Sequence, residues 1–403
     1  MQKQTRIAVW GAHLSWDGGI DFLHYLVNGL NAIREEQNLK MFLILPYDWV
    51  SEVKLFLLSA KASLSSGKTI KFKKSHINPK MRKAFVGSGV EIVYYNYLES
   101  SLETKLKDLK IDVLFPVVKI FSINFSIPWV GYIPDLQHKA LPHFFPNDEI
   151  KSRDNRYSNL VKVGNPVIVN SGTVKEEIGR YYSENSNVYN LSFLPPEPDL
   201  KLRNYDLTKL KSRYNLPEKY FIISNQFWKH KDHLTAFKAL KLVLDKNHDT
   251  QLLCTGKMHD ERFPEYIQEL KDFISGNNLQ EKIRLLGFIS KEDQMALIDN
   301  AAALIQPTLF EGGPGGGAVY NAVTLGVPSI ISDIPVNREI TNSLVTFFAA
   351  GSVDDLAGKM IEMLQVERAN PSQDELIQQG FERRKQLGKE LFAILQKAIQ
   401  ANA

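Results

Sequence analysis

Residues 306–335 read QPTLFEGGPGGGAVYNAVTLGVPSIISDIP, and this stretch decides the fold. After an apolar run that fits a buried strand, six of the seven residues in Glu311–Gly317 are glutamate or glycine. We predict a helix from about Ala318 that ends at Gly326, because Pro328 stops its continuation. Glycines let backbone N–H groups approach a ligand closely, and a helix N-terminus favours phosphate. The pattern predicts a phosphate-binding loop between strand and helix; a flexible linker is the alternative.

Around this loop, short apolar runs alternate with longer periodic segments along the whole chain. This alternation is typical of α/β proteins in which helices cover both faces of a parallel sheet. We predict two such sheets. The strands of the first are Arg6–Trp10, Met41–Leu45, Glu91–Tyr95, Val113–Phe115, Trp129–Ile133 and Pro166–Val169. Those of the second are Tyr220–Ser224, Gln251–Cys254, Ile283–Leu286, Ala303–Ile305, Ser329–Ser332 and Val345–Phe348.

A proline-rich segment separates the two series. Three of the four residues from 195 to 198 are proline, which continues neither a helix nor a central strand. A surface loop is one interpretation, but a linker is favoured because a second α/β series follows. We predict Rossmann-like domains over residues 1–194 and 201–373, a linker over 195–200 and a helical tail over 374–403. Ligands of doubly wound sheets bind outside the carboxyl ends of the strands, so the site should lie in the cleft between the domains.

The composition is that of an ordinary globular protein: 44% of the 403 residues are hydrophobic and 23% are charged. Lysine and arginine number 49 and the acids 45, so the net charge of +4 does not point to nucleic acid. The single cysteine, Cys254, excludes an intrachain disulfide and fits a reducing compartment. The N-terminus lacks a signal-peptide core, and prolines and a lysine interrupt the most apolar window, 113–134. We therefore expect a cytoplasmic protein.

Three further segments follow predicted strands. The block SNQFWKHKDH at 224–233 contains Lys231 near the start of a helix, where a single lysine is often only solvated. The double glycine Gly18-Gly19 precedes a helix in the first domain. The segment after strand 129–133 contains Asp135 and His138.

These blocks together resemble family 4 of the retaining glycosyltransferases, which have the GT-B fold. The most specific likeness is Phe310-Glu311-Gly312, a helix, and then LGVPSIISDIP. Glu311 matches the first glutamate of the family motif E-x7-E, which touches the donor sugar. The second position, two residues later than usual, falls on Asn321, where the family has a glutamate that binds the ribose hydroxyls.

The remaining matches imply roles by the same resemblance. Lys231 aligns with the lysine that binds the donor diphosphate, and Gln226 stands where the family has arginine. Gly18 and Gly19 match the loop that faces the diphosphate and the acceptor. Asp135 aligns with an aspartate near the reacting sugar. Proline replaces the neighbouring histidine of the family, which makes His138 the candidate for that role.

The resemblance implies transfer of a sugar from a nucleotide-diphosphate donor, with retention, to a glycan or lipid-linked glycan acceptor. The candidate catalytic residues are Glu311, Lys231, Asp135 and His138. The candidate donor-binding residues are Gly18, Gly19, Gln226, Lys231, Gly287, Gly315, Gly316, Gly317, Ala318 and Asn321. No cofactor or metal is expected, because the sequence has neither a D-x-D motif nor the histidine spacing of a zinc site.

Two other functions remain open at this point. A nucleotide-sugar epimerase on the same fold would consume the nucleotide sugar without an acceptor. A non-catalytic subunit that binds nucleotide sugars or glycans is the other, since Gln226, Asn321 and the proline before Asp135 depart from the family pattern.

A run of basic residues suggests a further partner. Between Lys61 and Lys83 lie eight basic residues and no acidic one, so the rest of the chain carries +4 minus +8, or −4. We predict peripheral contact of segment 61–83 with an anionic membrane. A solvated basic loop is the alternative.

Overall fold

The computed structural model describes residues 3–14, 16–47, 79–96, 98–183, 187–368 and 371–402. Within these residues the chain forms two sheets in which every strand pair is parallel. The first, in the order β3-β2-β1-β4-β5-β6-β7, consists of β1 Thr5–Trp10, β2 Leu39–Tyr47, β3 Glu91–Asn96, β4 Val113–Val117, β5 Trp129–Tyr132, β6 Val167–Val169 and β7 Val188–Asn190. The second, in the order β10-β9-β8-β11-β12-β13, consists of β8 Tyr220–Ser224, β9 Gln251–Thr255, β10 Ile283–Gly287, β11 Ala303–Gln306, β12 Ser329–Ser332 and β13 Val345–Phe348.

Helices connect the strands and cover both sheets. Those of the first part of the chain are α1 Asp17–Ala32, α2 Pro79–Phe85, α3 Glu99–Asp108, α4 Gln137–Ala140, α5 Asn147–Lys162 and α6 Gly172–Tyr181. Those of the second are α7 Leu200–Arg203, α8 Leu207–Tyr214, α9 His233–Asp245, α10 Tyr266–Gly276, α11 Lys291–Asp299, α12 Gly316–Thr324, α13 Val353–Gln365 and α14 Gln373–Ala401. Several begin where the sequence offers a capping side chain; at α14, Ser372 and Glu375 form a complete capping box.

Alternate residues of each central strand enter different cores, because helices pack on both faces. In β1, Ile7 and Val9 belong to one apolar cluster, whereas Ala8 and Trp10 belong to another on the opposite face. In β8, Phe221 and Ile223 likewise face one core and Ile222 the other. This two-sided burial explains why the strands appear in the sequence as continuous apolar runs.

The predicted two-sheet α/β architecture is confirmed, and all twelve predicted strands are present with ends within a few residues. The sequence analysis missed β7, which has three residues at the sheet edge and buries only Val188 among them. Such a strand is too short for a recognisable pattern. The helix after the glycine loop begins at Gly316, two residues earlier than expected.

The chain passes between the two sheets twice. It leaves the first sheet through residues 191–199, and α14 later returns to pack on α1. The two helices meet at glycines: a Cβ on Gly388 would lie 2.1 Å from the carbonyl oxygen of Gly29. Leu387, Leu391 and Leu395 of α14 are fully buried in the core of the first sheet. The predicted tail is therefore one helix that completes the N-terminal domain.

No helix among the described residues is both long and apolar enough to cross a membrane. Of the basic run, Lys80, Arg82 and Lys83 belong to α2. Most of segment 61–83 lies outside the described residues, and the membrane contact proposed for it stays a prediction.

Candidate active site

Lys231 and Glu311 meet at the point where the strand order of the second sheet reverses. Lys231 ends a 3-10 turn, Lys229–Lys231, that follows β8, and Glu311 follows the neighbouring strand β11. The Nζ atom of Lys231 lies 2.5 Å from Oε1 of Glu311, and the side chains are only 10% and 9% exposed. Burying either charge without the other would be costly, so the two side chains stay paired. This pairing fixes the position of both groups. Ligands of doubly wound sheets bind at this reversal point.

Two amide side chains extend this ion pair and were not identified from the sequence. Nε2 of Gln306 donates to Oε1 of Glu311 at 2.8 Å, and Nδ2 of Asn225 donates to Oε1 of Gln306. Both residues stand at the carboxyl ends of strands, and Gln306 is fully buried. A polar residue that ends an apolar strand was the signal that would have indicated them.

The N-terminus of α12 lies beside the Glu311 carboxylate. Gly315 precedes the helix with φ +68° and Gly316 begins it with φ +61°, conformations that suit glycine. Since Gly315 has no side chain to cap the helix, the N–H groups of Gly317 and Ala318 are left for a ligand. A Cβ on Gly316 would lie 3.0 Å from Oε2 of Glu311. The ion pair and the positive end of the helix therefore converge.

Asn337 fixes the glycine loop to the end of β12. Its Oδ1 accepts the N–H of Gly315 at 2.8 Å, and its Nδ2 donates to the carbonyl of Ser332 at 2.9 Å. Asn337 is fully buried. Next to the loop, Gly317 is exposed and has open space where a side chain would be.

Gln226 lies just after β8 and Gly287 is the last residue of β10, so both lie at the edge where the parallel strands end. Oε1 of Gln226 accepts the N–H of Lys257 at 3.2 Å, so this side chain braces the loop after β9. The carbonyl of Gly287 accepts the N–H of Gly256 at 2.9 Å. Gly287 has φ +68° and open space on its side-chain face.

Two residues near Gln226 and Gly287 are further candidates for ligand binding. Phe288, which was not identified from the sequence, is 66% exposed, and Nζ of Lys257 lies 5.7 Å from its ring centroid. An exposed aromatic ring at a strand end is a surface on which a base can stack. Asn321, the predicted ribose-binding residue, is half-buried on α12, five residues after its first residue.

The glycine loop also contacts the N-terminal domain. A Cβ on Gly312 would lie 2.5 Å from the carbonyl oxygen of Pro134 and 2.8 Å from Cβ of Asp135. Only glycine permits this approach, which places Asp135 next to the loop that carries Glu311. Nη1 of Arg153 lies 3.6 Å from Oδ1 of Asp135, which is 27% exposed. The structure thus brings Lys231, Glu311 and Asp135 to one cleft.

A second contact between the domains involves a carboxylate. Oε2 of Glu339 accepts the N–H of Gly172 at 2.9 Å, and Oε1 accepts the N–H and the hydroxyl of Thr173 at 2.7 and 2.6 Å. These groups form the first turn of α6, whose positive end favours a carboxylate. Glu339 was not identified from the sequence. It holds the domains together near the glycine loop.

His138 occupies a different place. It is fully buried, and its Nε2 lies 3.0 Å from Oδ1 of Asp154 and 3.2 Å from the hydroxyl of Tyr182. Burial lowers the pKa of His138, although Asp154 opposes this. Its described contacts all lie within the N-terminal domain, so the structure does not bring His138 together with Glu311 and Lys231.

The double glycine lies in the first turn of α1. A Cβ on Gly19 would come within 2.9 Å of the carbonyl of Leu14, so internal packing already requires glycine there. Gly18 is exposed next to Trp16, which is itself 54% exposed. Both lie beyond β1, at the reversal point of the first sheet.

Two histidines near Lys231 are neutral. Burial lowers the pKa of His230 to about 2 and that of His233 to about 3, and the nearby Lys231 charge adds to both shifts. Neither imidazole therefore contributes positive charge at neutral pH. Among the described residues, no group of three or more histidine, cysteine or acidic side chains is arranged to hold a metal ion.

Comparison with known proteins fits this arrangement. Residues 206–383 match the family model described as glycosyl transferases group 1. The matched residues include the whole of the second sheet. The O-antigen chain mannosyltransferase RfbU of Salmonella typhimurium is 25% identical over 223 residues, which cover 55% of this chain and 58% of that relative. The alignment thus spans little more than half the length of RfbU.

Solved structures share the whole architecture. The sucrose-phosphate synthase of Thermosynechococcus elongatus matches with a TM-score of 0.64 at 14% identity, over 99% of this chain and 100% of that one. Anabaena HepE in complex with UDP and glucose matches with a TM-score of 0.61 at 12% identity, over 99% of each chain. A glycosyltransferase from Rickettsia africae gives 0.61 at 14% identity, over 99% of this chain and 98% of that one. At such identities the likeness shows the fold alone, and the predicted GT-B fold is confirmed.

Proposed function

We propose that the chain is a retaining glycosyltransferase of polysaccharide biosynthesis. It would move a sugar from a nucleotide-diphosphate donor to a glycan or lipid-linked glycan acceptor. One observation carries this proposal: the Lys231–Glu311 pair lies at the reversal point of the second sheet, against the uncapped N-terminus of α12. A cation and free backbone N–H groups at that point suit a diphosphate. The match of residues 206–383 to the family model of group 1 glycosyl transferases also supports it.

Lys231 and α12 would stabilise the leaving group. As the bond from sugar to phosphate breaks, negative charge grows on the departing diphosphate. The ammonium of Lys231 and the N–H groups of Gly317 and Ala318 would stabilise that charge. Such preorganised donors in a partly buried site lower the barrier without reorganisation.

Glu311 would position the donor sugar. Both protein donors, Lys231 and Gln306, bond its Oε1. Its Oε2 lies towards the first turn of α12. We expect this oxygen to accept a hydrogen bond from a hydroxyl group of the sugar. Asp135 would approach the reacting sugar from the other domain. For retention, a departing phosphate oxygen would take the acceptor proton on the same face of the sugar.

The test is a screen of nucleotide sugars with UDP, GDP, ADP and dTDP by thermal shift, since a bound ligand raises apparent stability. The donor found would then be incubated with polysaccharide acceptors, with and without EDTA, and the anomeric configuration of the product read by NMR. Acceptor-dependent release of nucleotide in EDTA with retention supports the proposal. Isomerised nucleotide sugar without acceptor would indicate the epimerase. An absence of any stabilising nucleotide sugar would contradict donor binding.

A further inference from the structure

A cavity of about 240 Å³ lies where the chain passes between the two domains. Its lining includes Arg203, Tyr205, Asp299, Asn300, Arg368 and Pro371. None of these residues belongs to the candidate active site. The cavity is therefore a feature that sugar transfer does not explain.

Both covalent connections between the domains border this cavity. Arg203 ends α7, the first helix after the proline linker, whereas Arg368 and Pro371 are described residues of the connection between α13 and α14. The connections also contact each other nearby: Nη1 of Arg384 on α14 lies 2.6 Å from Oε1 of Glu197 in the linker. A ligand in the cavity would touch both connections.

The charges that line the cavity do not balance. Nε of Arg203 lies 3.2 Å from Oδ2 of Asp299, and the nearest guanidinium nitrogen of Arg368 lies 3.8 Å from Oδ1. The hydroxyl of Tyr205 donates to Oδ2 at 2.9 Å. Two guanidinium groups thus share one carboxylate, which is 8% exposed, and the lining carries +2 minus 1, or +1.

The guanidinium groups also keep unused donors. Nη1 of Arg368 donates to the backbone carbonyls of Asp299 and Ala301. Its Nη2 lies 3.8 Å from Oδ1 of Asp299 and makes no hydrogen bond in the described part of the chain. An oxyanion is the partner that such an unpaired guanidinium N–H group suits best, because charge-assisted hydrogen bonds are the strong ones.

We propose that this cavity is a binding site for a phosphate-type oxyanion, separate from the donor site. The anion accepts hydrogen bonds from Arg203 and Arg368 and neutralises the excess positive charge, as guanidinium groups commonly do with phosphate. Because the two arginines lie on different connections, the bound anion ties these connections together. This inference does not depend on the proposed transferase activity.

The test is calorimetric titration of inorganic phosphate into the Lys231→Ala variant, which removes the cation of the donor site. Phosphate should still bind to this variant, because the cavity is unchanged. Adding Arg203→Gln should weaken this binding about tenfold, the loss of one charge-assisted hydrogen bond. Adding Arg213→Gln, an exposed arginine on the neighbouring helix α8, should leave the affinity unchanged. No phosphate binding to Lys231→Ala, or equal affinity with and without Arg203→Gln, overturns the proposal.

A second measurement leaves the residues that line the cavity unchanged. In the Lys231→Ala protein, phosphate should slow hydrogen exchange of the amides in 200–205 and 298–301, which carry the lining residues. Unchanged exchange in both segments at saturating phosphate overturns the proposal, even if Arg203→Gln fails to fold.

Discussion

The two sheets end in the same cleft but present different chemistry there. Beyond the second sheet, Lys231 and Glu311 from neighbouring strands bond each other at 2.5 Å. Beyond the first sheet, Asp135 faces the cleft at 3.6 Å from Arg153, while His138 is buried against Asp154. Both sheets are parallel, yet the charged groups form a compact pair beyond the second sheet and lie apart beyond the first.

In the proposed function, this difference corresponds to a division of labour. A centre that holds a diphosphate needs fixed charges, and the proposed donor side has them in a nearly buried pair. The acceptor side instead offers a more open surface, with Trp16 and Gly18 exposed beyond β1. Substitutions on the donor side should therefore have the larger effects on the reaction.

The largest effect is expected for Glu311→Gln. The side chain keeps its size but loses the charge that pairs with Lys231, so turnover should fall about 10²–10³-fold, the usual loss for one preorganised electrostatic group. Initial rates with the donor from the thermal-shift screen measure it. Glu261→Gln, an exposed glutamate in the same domain, is the control. Near wild-type turnover of Glu311→Gln would remove Glu311 from the active site.

The second largest effect is expected for Lys231→Ala. We expect the affinity for a nucleoside diphosphate to fall about 10–100-fold, the value of a hydrogen bond to a charged group, with little change for the nucleoside. Calorimetry with both ligands separates the two. Lys229→Ala is the matched control, because the ammonium of Lys229 lies 4.9 Å from the ring centroid of Phe263. Equal losses for nucleoside and diphosphate would place Lys231 away from the phosphates.

The contact between the two sides can be broken at Gly312. A methyl group there would clash with the carbonyl of Pro134, so Gly312→Ala should oppose the closed arrangement at a cost of about 1–3 kcal/mol. We expect kcat/KM to fall about tenfold and the radius of gyration in solution to increase. Gly358→Ala, on helix α13 away from the cleft, has open space for its methyl group and should change neither. Identical behaviour of the two variants would show that the contact has no role in closure.

The smallest effect is expected for His233, and it changes the free energy of unfolding rather than turnover. Burial lowers the pKa of His233 to about 3, so its folded form stays neutral while the unfolded chain takes up a proton below about pH 6.5. The unfolded state is then favoured as the pH falls, by about 2 kcal/mol at pH 5. His233→Phe keeps the stacking on Phe227 and should lose about 2 kcal/mol less between pH 7 and pH 5.

Urea unfolding at both pH values measures this difference. His143→Gln, which removes an exposed histidine of the N-terminal domain, serves as the control. Its free energy of unfolding should change between pH 7 and pH 5 as much as that of the wild type. The same change in His233→Phe would mean that His233 is protonated in the folded protein.

The sequence predicted most of the fold because a buried parallel strand is visible locally. Each of the twelve predicted strands is an apolar run that helices cover on both faces. It also located the glycine loop and Lys231, which follow strands of the second sheet, whereas their binding of a donor stays a prediction. The orientation of His138 was not accessible, because it depends on Asp154 and Tyr182, which come from other helices.

The residues that the sequence did not reveal share one property. Asn225 and Gln306 meet because β8 and β11 are neighbours in the sheet, although 81 positions separate them. Glu339 matters because its carboxylate meets α6 across the domain boundary. Their roles arise from which strands and domains become neighbours, and a local pattern contains no such information.

The return of α14 to the first domain has a consequence for biosynthesis. The N-terminal domain leaves the ribosome first, yet Leu387, Leu391 and Leu395 of α14 belong to its core. Until that helix emerges, the part of α1 that packs on α14 lacks this partner. Domains generally fold in the order of synthesis, but here the first domain waits for the second to be translated. A nascent chain arrested before residue 373 should therefore expose this face to chaperones and proteases, even though every strand of both sheets has already been made.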